Sequence, residues 1–228
     1  RHHILGLRRR AFLKRSPLFS EYATVMRCVA PNEQSSLIRL HYMRSGSVKV
    51  AFQYRRQEYF VPLCVILRAL ATCSDVEFYE TLCAQLKVGS CTPESYIKER
   101  LTILQLECEE LNIQTHVDAL LYIGQHFRTI IESDSTESDI LVGERILNEF
   151  ICIHLNRSAE KLSLISLMMT KLFSMVTGNC IPDNPDSLVN QEVLLPGLLL
   201  QSILRERIQL MFQKVITRIK RSTNSWTD

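Results

Sequence analysis

The sequence predicts an α+β protein, mostly helical, in which a small antiparallel β-meander near the N-terminus precedes a helical bundle. Three observations carry the prediction. Apolar and polar residues alternate with period two between Tyr22 and Val61, as in strands with one buried face. From Pro62 onward the apolar residues recur at spacings of three and four, the period of a helix. Only seven Gly and seven Pro occur in 228 residues, few for an all-β chain with its many tight turns. Apolar residues make up 46% and charged residues 22%, which suits one large domain or two small ones.

Residues 1–22 show little periodicity. Arg1, Arg8, Arg9, Arg10, Lys14 and Arg15 lie there beside Phe12, with no acid up to residue 15. A triple Arg with one aromatic is a weak phosphate-binding motif, and a solvated loop or strand edge outweighs it. Tyr22–Ala30 is the first predicted strand, ended by Pro31-Asn32. Ser35–Met43 is the second, with Ile38, Leu40 and Tyr42 on one face and Arg39 and His41 on the other. In Arg44-Ser45-Gly46-Ser47, Gly46 supplies the positive φ of a hairpin turn into Val48–Tyr54. Val48, Val50, Phe52 and Tyr54 share a face opposite Lys49 and Gln53. A turn at Arg55-Arg56-Gln57 leads to a fourth strand, Glu58–Val61.

Pro62 then opens a helix at its first position, with Leu63, Ile66, Leu67 and Leu70 buried and Arg68 outside or in a pair. Ser74 caps the next helix, and Glu77 completes a capping box. That helix covers residues 75–87 and buries Val76, Phe78, Tyr79, Leu82 and Leu86, and Gly89-Ser90 breaks it. Thr92-Pro93 starts a third helix running to Leu111, with Ile97, Leu101, Leu104 and Cys108 on one face. Thr115 caps a fourth, with Asp118 at its third position and Leu120, Leu121, Ile123 and Phe127 inside. Glu132–Asp139 is an acidic, Ser-rich exposed loop. A fifth helix covers residues 139–150, followed by Ile151–Asn156. Ser158 caps a sixth, whose Leu162, Ile165, Met169, Leu172 and Val176 form a stripe and whose Gly178 fits the C′ position. Met168, Met169 and Met175 are assigned to core packing, ahead of a binding groove. Pro196 starts the last helix, with a stripe of Leu200, Leu204, Ile208, Met211, Val215 and Ile219.

Little in the sequence points to chemistry. The net charge is +3, with basic ends and an acidic stretch from Glu94 to Asp139. None of the eight cysteines forms Cys-x-x-Cys, which fits buried free thiols in a reducing compartment. No His-x-x-x-His pair marks a zinc site. Asp183 and Asp186 are three apart around Pro185, which is turn chemistry before it is a metal site. Gly-rich phosphate loops and Gly-x-Ser-x-Gly do not occur. No apolar run reaches the ~18 residues of a membrane span. No signal peptide is visible and the first residue is Arg, so the sequence reads as a piece of something longer. Arg207, Lys214, Arg218 and Arg221 follow helical spacing along the last helix. They are the candidate contacts to nucleic acid or an acidic partner, and equally a snorkelling margin around a packed helix.

Three stretches carry a family resemblance. The first is Asp183-Asn184-Pro185-Asp186-Ser187-Leu188-Val189-Asn190-Gln191-Glu192-Val193-Leu194, with Pro196-Gly197 after it. The second is Tyr59-Phe60-Val61-Pro62-Leu63 through Arg68-Ala69-Leu70 to Ser74-Asp75. The third is Ile151-Cys152-Ile153-His154-Leu155 with Glu160-Lys161 and Lys171-Leu172-Phe173. Together with the hairpin from Leu40-His41-Tyr42 to Phe52-Gln53-Tyr54-Arg55, they resemble the second-largest subunit of eukaryotic DNA-directed RNA polymerase I. The match covers most of residues 22–215 and is weak from Lys87 to Asp139 and at the Arg-rich start. The polymerase II and III counterparts would carry a more charged segment in place of Asn-Pro-Asp-Ser-Leu-Val-Asn-Gln, which supports class I.

The resemblance implies a lobe domain at 23–182, the end of a preceding protrusion segment at 1–22, and a connector and return helix into the protrusion at 183–228. It implies a non-catalytic wall of the DNA cleft in a nuclear, nucleolar enzyme. Catalytic Mg²⁺ would be bound by aspartates of the largest subunit, so no catalytic, cofactor or metal residue is carried over. The implied partners are the largest and other polymerase I subunits, DNA in the cleft, and, at the lobe, a TFIIF-like heterodimer and a zinc-ribbon subunit. A stand-alone helical scaffold and a small basic nucleic-acid-binding domain are the alternatives from other classes.

Overall fold

The computed structural model describes residues 5–9, 17–30, 35–54, 57–87, 92–131, 137–184, 186–191, 193 and 195–224. The turns at Pro31-Asn32, Arg55-Arg56 and Gly89-Ser90, most of the acidic Ser-rich loop, and Arg10 to Arg15 of the basic start lie outside them. The chain divides into two compact units, Arg1–Asp183 and Asn184–Asp228.

Alternating side chains build an antiparallel meander in the first unit. It runs β1 (Leu5–Arg9), β2 (Phe19–Val29), β3 (Ser35–Met43), β4 (Val48–Tyr54), β5 (Gln57–Pro62), in that spatial order. Four of these strands are the predicted ones; the fifth, β1, runs through the Arg-rich start and pairs Leu7 with Thr24. On the buried face Leu40 stands opposite Val50, and Val50 opposite Val61. All three are at most 2% exposed, so the period-two pattern fixes register through burial. The β3–β4 turn closes by Met43 N–H donating to the Ser47 carbonyl at 2.8 Å, with Gly46 at φ +90°. Arg100 lies over that glycine, and its guanidinium would have to shift to admit a Cβ.

Among the described residues of this unit, six helices follow: α1 (Leu63–Leu70), α2 (Asp75–Lys87), α3 (Glu94–Glu110), α4 (His116–Ile131), α5 (Asp139–Glu149) and α6 (Ser158–Val176). α1 is buried on every side, between the sheet and α3, α4 and α6, which explains its nearly all-apolar sequence. Its one charge, Arg68, is only 7% exposed, contrary to an outward placement. Arg68 Nε donates to the Gln114 carbonyl at 2.8 Å, Nη2 donates to the same oxygen, and the guanidinium lies 5.6 Å from the Phe78 ring centre.

The caps follow local chemistry. Glu77 N–H donates to Ser74 Oγ at 3.4 Å. Thr115 and Asp118 bond reciprocally, Thr115 N–H to Asp118 Oδ2 at 2.9 Å and Asp118 N–H to Thr115 Oγ1 at 3.2 Å. Ser158 is the first helical residue of α6 instead of its cap; Arg157 holds the N-cap position with no side-chain bond. At the other end Gly178, φ +80°, completes a Schellman motif. Its N–H reaches the Met175 carbonyl, and Asn179 N–H reaches Ser174. Met168, Met169 and Met175 are core residues. In α2, Leu82 and Leu86 are buried, whereas Val76 is 69% exposed because the first turn of the helix leaves it facing solvent.

In the second unit, Asp186 N–H donates to Asn184 Oδ1 at 3.0 Å, an Asx turn. A short 3-10 turn at Leu188–Asn190 follows, then α7 (Pro196–Asn224). The apolar stripe of α7 is exposed along its length, from Leu200 at 67% to Ile219 at 57%.

Candidate functional site

The sequence-nominated cations sit where the helical spacing placed them. Arg207, Lys214 and Arg218 are exposed on α7, and Lys214 and Arg218 edge a shallow groove with Leu210, Gln213 and Thr217. Arg221 lies in α7, but its side chain is outside the described residues. Asp183 and Asp186 flank the Asx turn, and no group of three His, Cys, Asp or Glu among the described residues is arranged to hold a metal ion.

Three features of the first unit were missed in the sequence. A cavity of about 490 Å³ opens between α1, α2 and α3. Leu67, Leu82, Leu101, Leu104 and Ile113 line its apolar floor, with Phe78 and Tyr79 beside them. Arg68, Gln105, Glu109 and Gln114 supply its polar groups. One signal was available: a lone Arg inside an otherwise apolar helix requires a buried partner.

The second feature is a buried ammonium. Lys161, 1% exposed, donates from Nζ to the Leu147 carbonyl at 2.6 Å and to Asn148 Oδ1 at 3.1 Å. Burial pushes its pKa down, while the neighbouring thiols of Cys152 and Cys28 push it up. The Cys28 thiol is held below its ordinary range by a hydrogen bond from Cys152, against burial and aided by the Lys161 charge. Cys152 is correspondingly raised by that bond and by burial. Cys152 also has φ +47°, uncommon for a side chain of its kind. The cluster ties β2 to the α5–α6 connection and to α6.

The third feature is His41, placed on the solvent face of its strand by alternation and in fact 1% exposed. Phe19 and Phe60 cover it, at ring-centre distances of 5.5 and 5.8 Å. Desolvation, then the Arg39 charge, lowers its pKa to about 4. Phe19 lies before the predicted start of its strand, so the second covered face was not visible in the pattern.

A family model described as RNA polymerase Rpb2, domain 2, matches residues 19–194. The chain is 33% identical over 228 residues to DNA-directed RNA polymerase I subunit RPA135 of Saccharomyces cerevisiae, across 98% of this chain and 18% of that protein. It is 32% identical over 231 residues to DNA-directed RNA polymerase I subunit 2 of Arabidopsis thaliana, across 96% of this chain and 19% of that protein. Against DNA-directed RNA polymerase I subunit RPA2 of Homo sapiens the identity is 34% over 196 residues, across 86% of this chain and 17% of that protein. The chain therefore spans less than a fifth of the length of these relatives.

Proposed function

The chain belongs to the RNA polymerase Rpb2, domain 2, family, and from that premise we propose that it serves as a non-catalytic lobe segment of the second-largest subunit of DNA-directed RNA polymerase I. In this reading it forms one wall of the DNA cleft and docks accessory subunits while ribosomal RNA genes are transcribed in the nucleolus. The observation that carries it is similarity along nearly the whole chain to proteins named as RNA polymerase I subunits. The architecture supports it: a sheet and helices share one core. Mg²⁺ and the nucleotidyl-transfer residues belong, on this reading, to the largest subunit.

The partners proposed are the largest and other polymerase I subunits, a TFIIF-like heterodimer, a zinc-ribbon subunit, and DNA. Affinity purification of the natural protein that contains this chain, followed by cross-linking mass spectrometry, tests both levels. Polymerase I subunits are expected in the eluate, with cross-links from the exposed Lys87 and Lys98 to the heterodimer. An eluate without polymerase subunits refutes the assignment. Cross-links from these lysines to polymerase subunits but never to the heterodimer or zinc-ribbon subunit refute the docking role.

A further inference from the structure

Packing alone does not call for the open cavity between α1, α2 and α3, since unfilled space beside apolar side chains forfeits contacts. Its floor is closed by Leu67, Leu82, Leu101, Leu104 and Ile113, none more than 5% exposed. A volume of about 490 Å³ falls within the range of built binding pockets. Arg68 does not offer its charge to an incomer: it already donates twice to the Gln114 carbonyl and covers Phe78. It forms wall, not bait.

The mouth is electrostatically uneven. Glu109 lines it and is exposed, in the last turn of α3, and Glu110 follows it in the chain. That last turn contains no base, and its terminal carbonyls add partial negative charge. Near Tyr79, at the other end, Lys87 and Lys98 share the single Glu94 carboxylate at 2.9 and 2.8 Å, so that group of three is net positive while the Glu109 end is negative. An apolar socket with one acidic lip complements an apolar group joined to a cation.

We propose that this cavity is a docking socket for a short protein segment in which a large apolar side chain adjoins a Lys or Arg: the apolar side chain fills the floor and the cation pairs with Glu109. The proposal rests on the docking role above and names a place and a chemistry for it. A protein segment fits better than a polar metabolite, because the floor is apolar and two of the four polar lining residues, Arg68 and Gln114, already bond each other. The relatives, moreover, are named as subunits of a larger enzyme.

The test is fluorescence anisotropy of a labelled decapeptide, Gly-Ser-Gly-Phe-Leu-Arg-Arg-Ser-Gly-Ser, titrated with the 228-residue chain. Saturable binding is expected. It should weaken roughly tenfold or more with Glu109→Arg, and likewise with Gln105→Trp, which plugs the mouth from an exposed position without touching the core. A peptide with Ser-Ser in place of Phe-Leu should bind at least about tenfold more weakly. Equal binding by that peptide, unchanged binding to Gln105→Trp, or no saturable binding to a chain with an intact thermal melt overturns the proposal. A chain that co-purifies with polymerase subunits yet ignores the peptide loses the socket alone. One that takes the peptide but co-purifies with none loses the docking reading instead.

Discussion

The crossing of α4 and α5 gives the sharpest test of the packing. The two helices run antiparallel, with Gly124 against Asp139 and Gly143 against Leu120, four residues apart along each helix. A Cβ on Gly143 would sit inside the contact distance of the Leu120 carbonyl oxygen, with the carbonyl carbon at 3.1 Å. A Cβ on Gly124 would meet the Asp139 carbonyl in the same way, with its carbon at 2.7 Å. These neighbours are backbone, so relief requires one helix to move. Overpacking of this kind costs ~1–3 kcal/mol, and the better helix propensity of Ala returns ~1 kcal/mol. Because the neighbour is backbone within contact distance, the cost lies at the upper end of that range, ~2–3 kcal/mol, and Gly143→Ala should lose about 1–2 kcal/mol net, a fall of roughly 5 °C in Tm for a chain of this size. The pair should be non-additive, because either alanine already opens the gap that the other needs. Urea unfolding followed by circular dichroism measures both quantities. Gly197→Ala, with nothing within 4 Å of the added carbon, is the control and should lose nothing. A Gly143→Ala chain as stable as its parent, or strictly additive losses, would refute the close crossing.

His41 should make stability pH-dependent. Its folded pKa, about 4, lies below the ordinary 6.5, so its contribution is complete above pH 6.5 and is lost as pH falls from there towards 4. The full effect is on the order of 3 kcal/mol, and His41→Phe should flatten that part of the urea-midpoint profile; an unchanged profile counts against the buried ring. Lys161→Met removes the donor to the Leu147 carbonyl and to Asn148 and should destabilise by about 1–3 kcal/mol in the same assay; a neutral result would show that those acceptors find other donors. If α7 meets DNA, replacing Arg207, Lys214, Arg218 and Arg221 with Gln should reduce the slope of log K against log salt by ~0.9 per lost phosphate contact. An unaltered slope removes these four from the interface.

The elements visible in the sequence are those set by local rules. Alternation gave β3 and β4 to the residue, Ser35–Met43 and Val48–Tyr54, because one face of each is buried. Ser74, Thr115 and Gly178 announced helix ends because capping is satisfied within a few residues of chain. β1 lacked such a signal: its strand character comes from pairing with Tyr22–Met26 of β2, of which residues 1–22 contain only the first. Val76 has the right hydropathy for a core stripe, yet its turn projects from the fold and the periodicity alone assigns it inward.

The candidate site escaped for a related reason. A cavity is where side chains fail to meet, and it exists only once α1, α2 and α3 have been placed together. Each apolar lining residue looks like ordinary core from its own helix: Leu67, Leu82 and Leu104 occupy the apolar positions that packing requires. The cluster of Lys161 with Cys28 and Cys152 has the same character. Its three residues come from β2, the segment after α5, and α6, so the burial of the ammonium is set by tertiary closure. Burying a cation such as Lys161 is costly unless carbonyl and amide oxygens await it. The Leu147 carbonyl and Asn148 Oδ1 supply those oxygens from the end of α5, where the last turn leaves its carbonyls unspent. The end of α3, where the Glu107, Cys108 and Glu109 carbonyls accept from Leu111, Ile113 and Asn112, carries the Glu109 carboxylate at the lip of the socket. Both features thus grow from helix ends, whose electrostatics the sequence declares, brought by packing against residues it places far away.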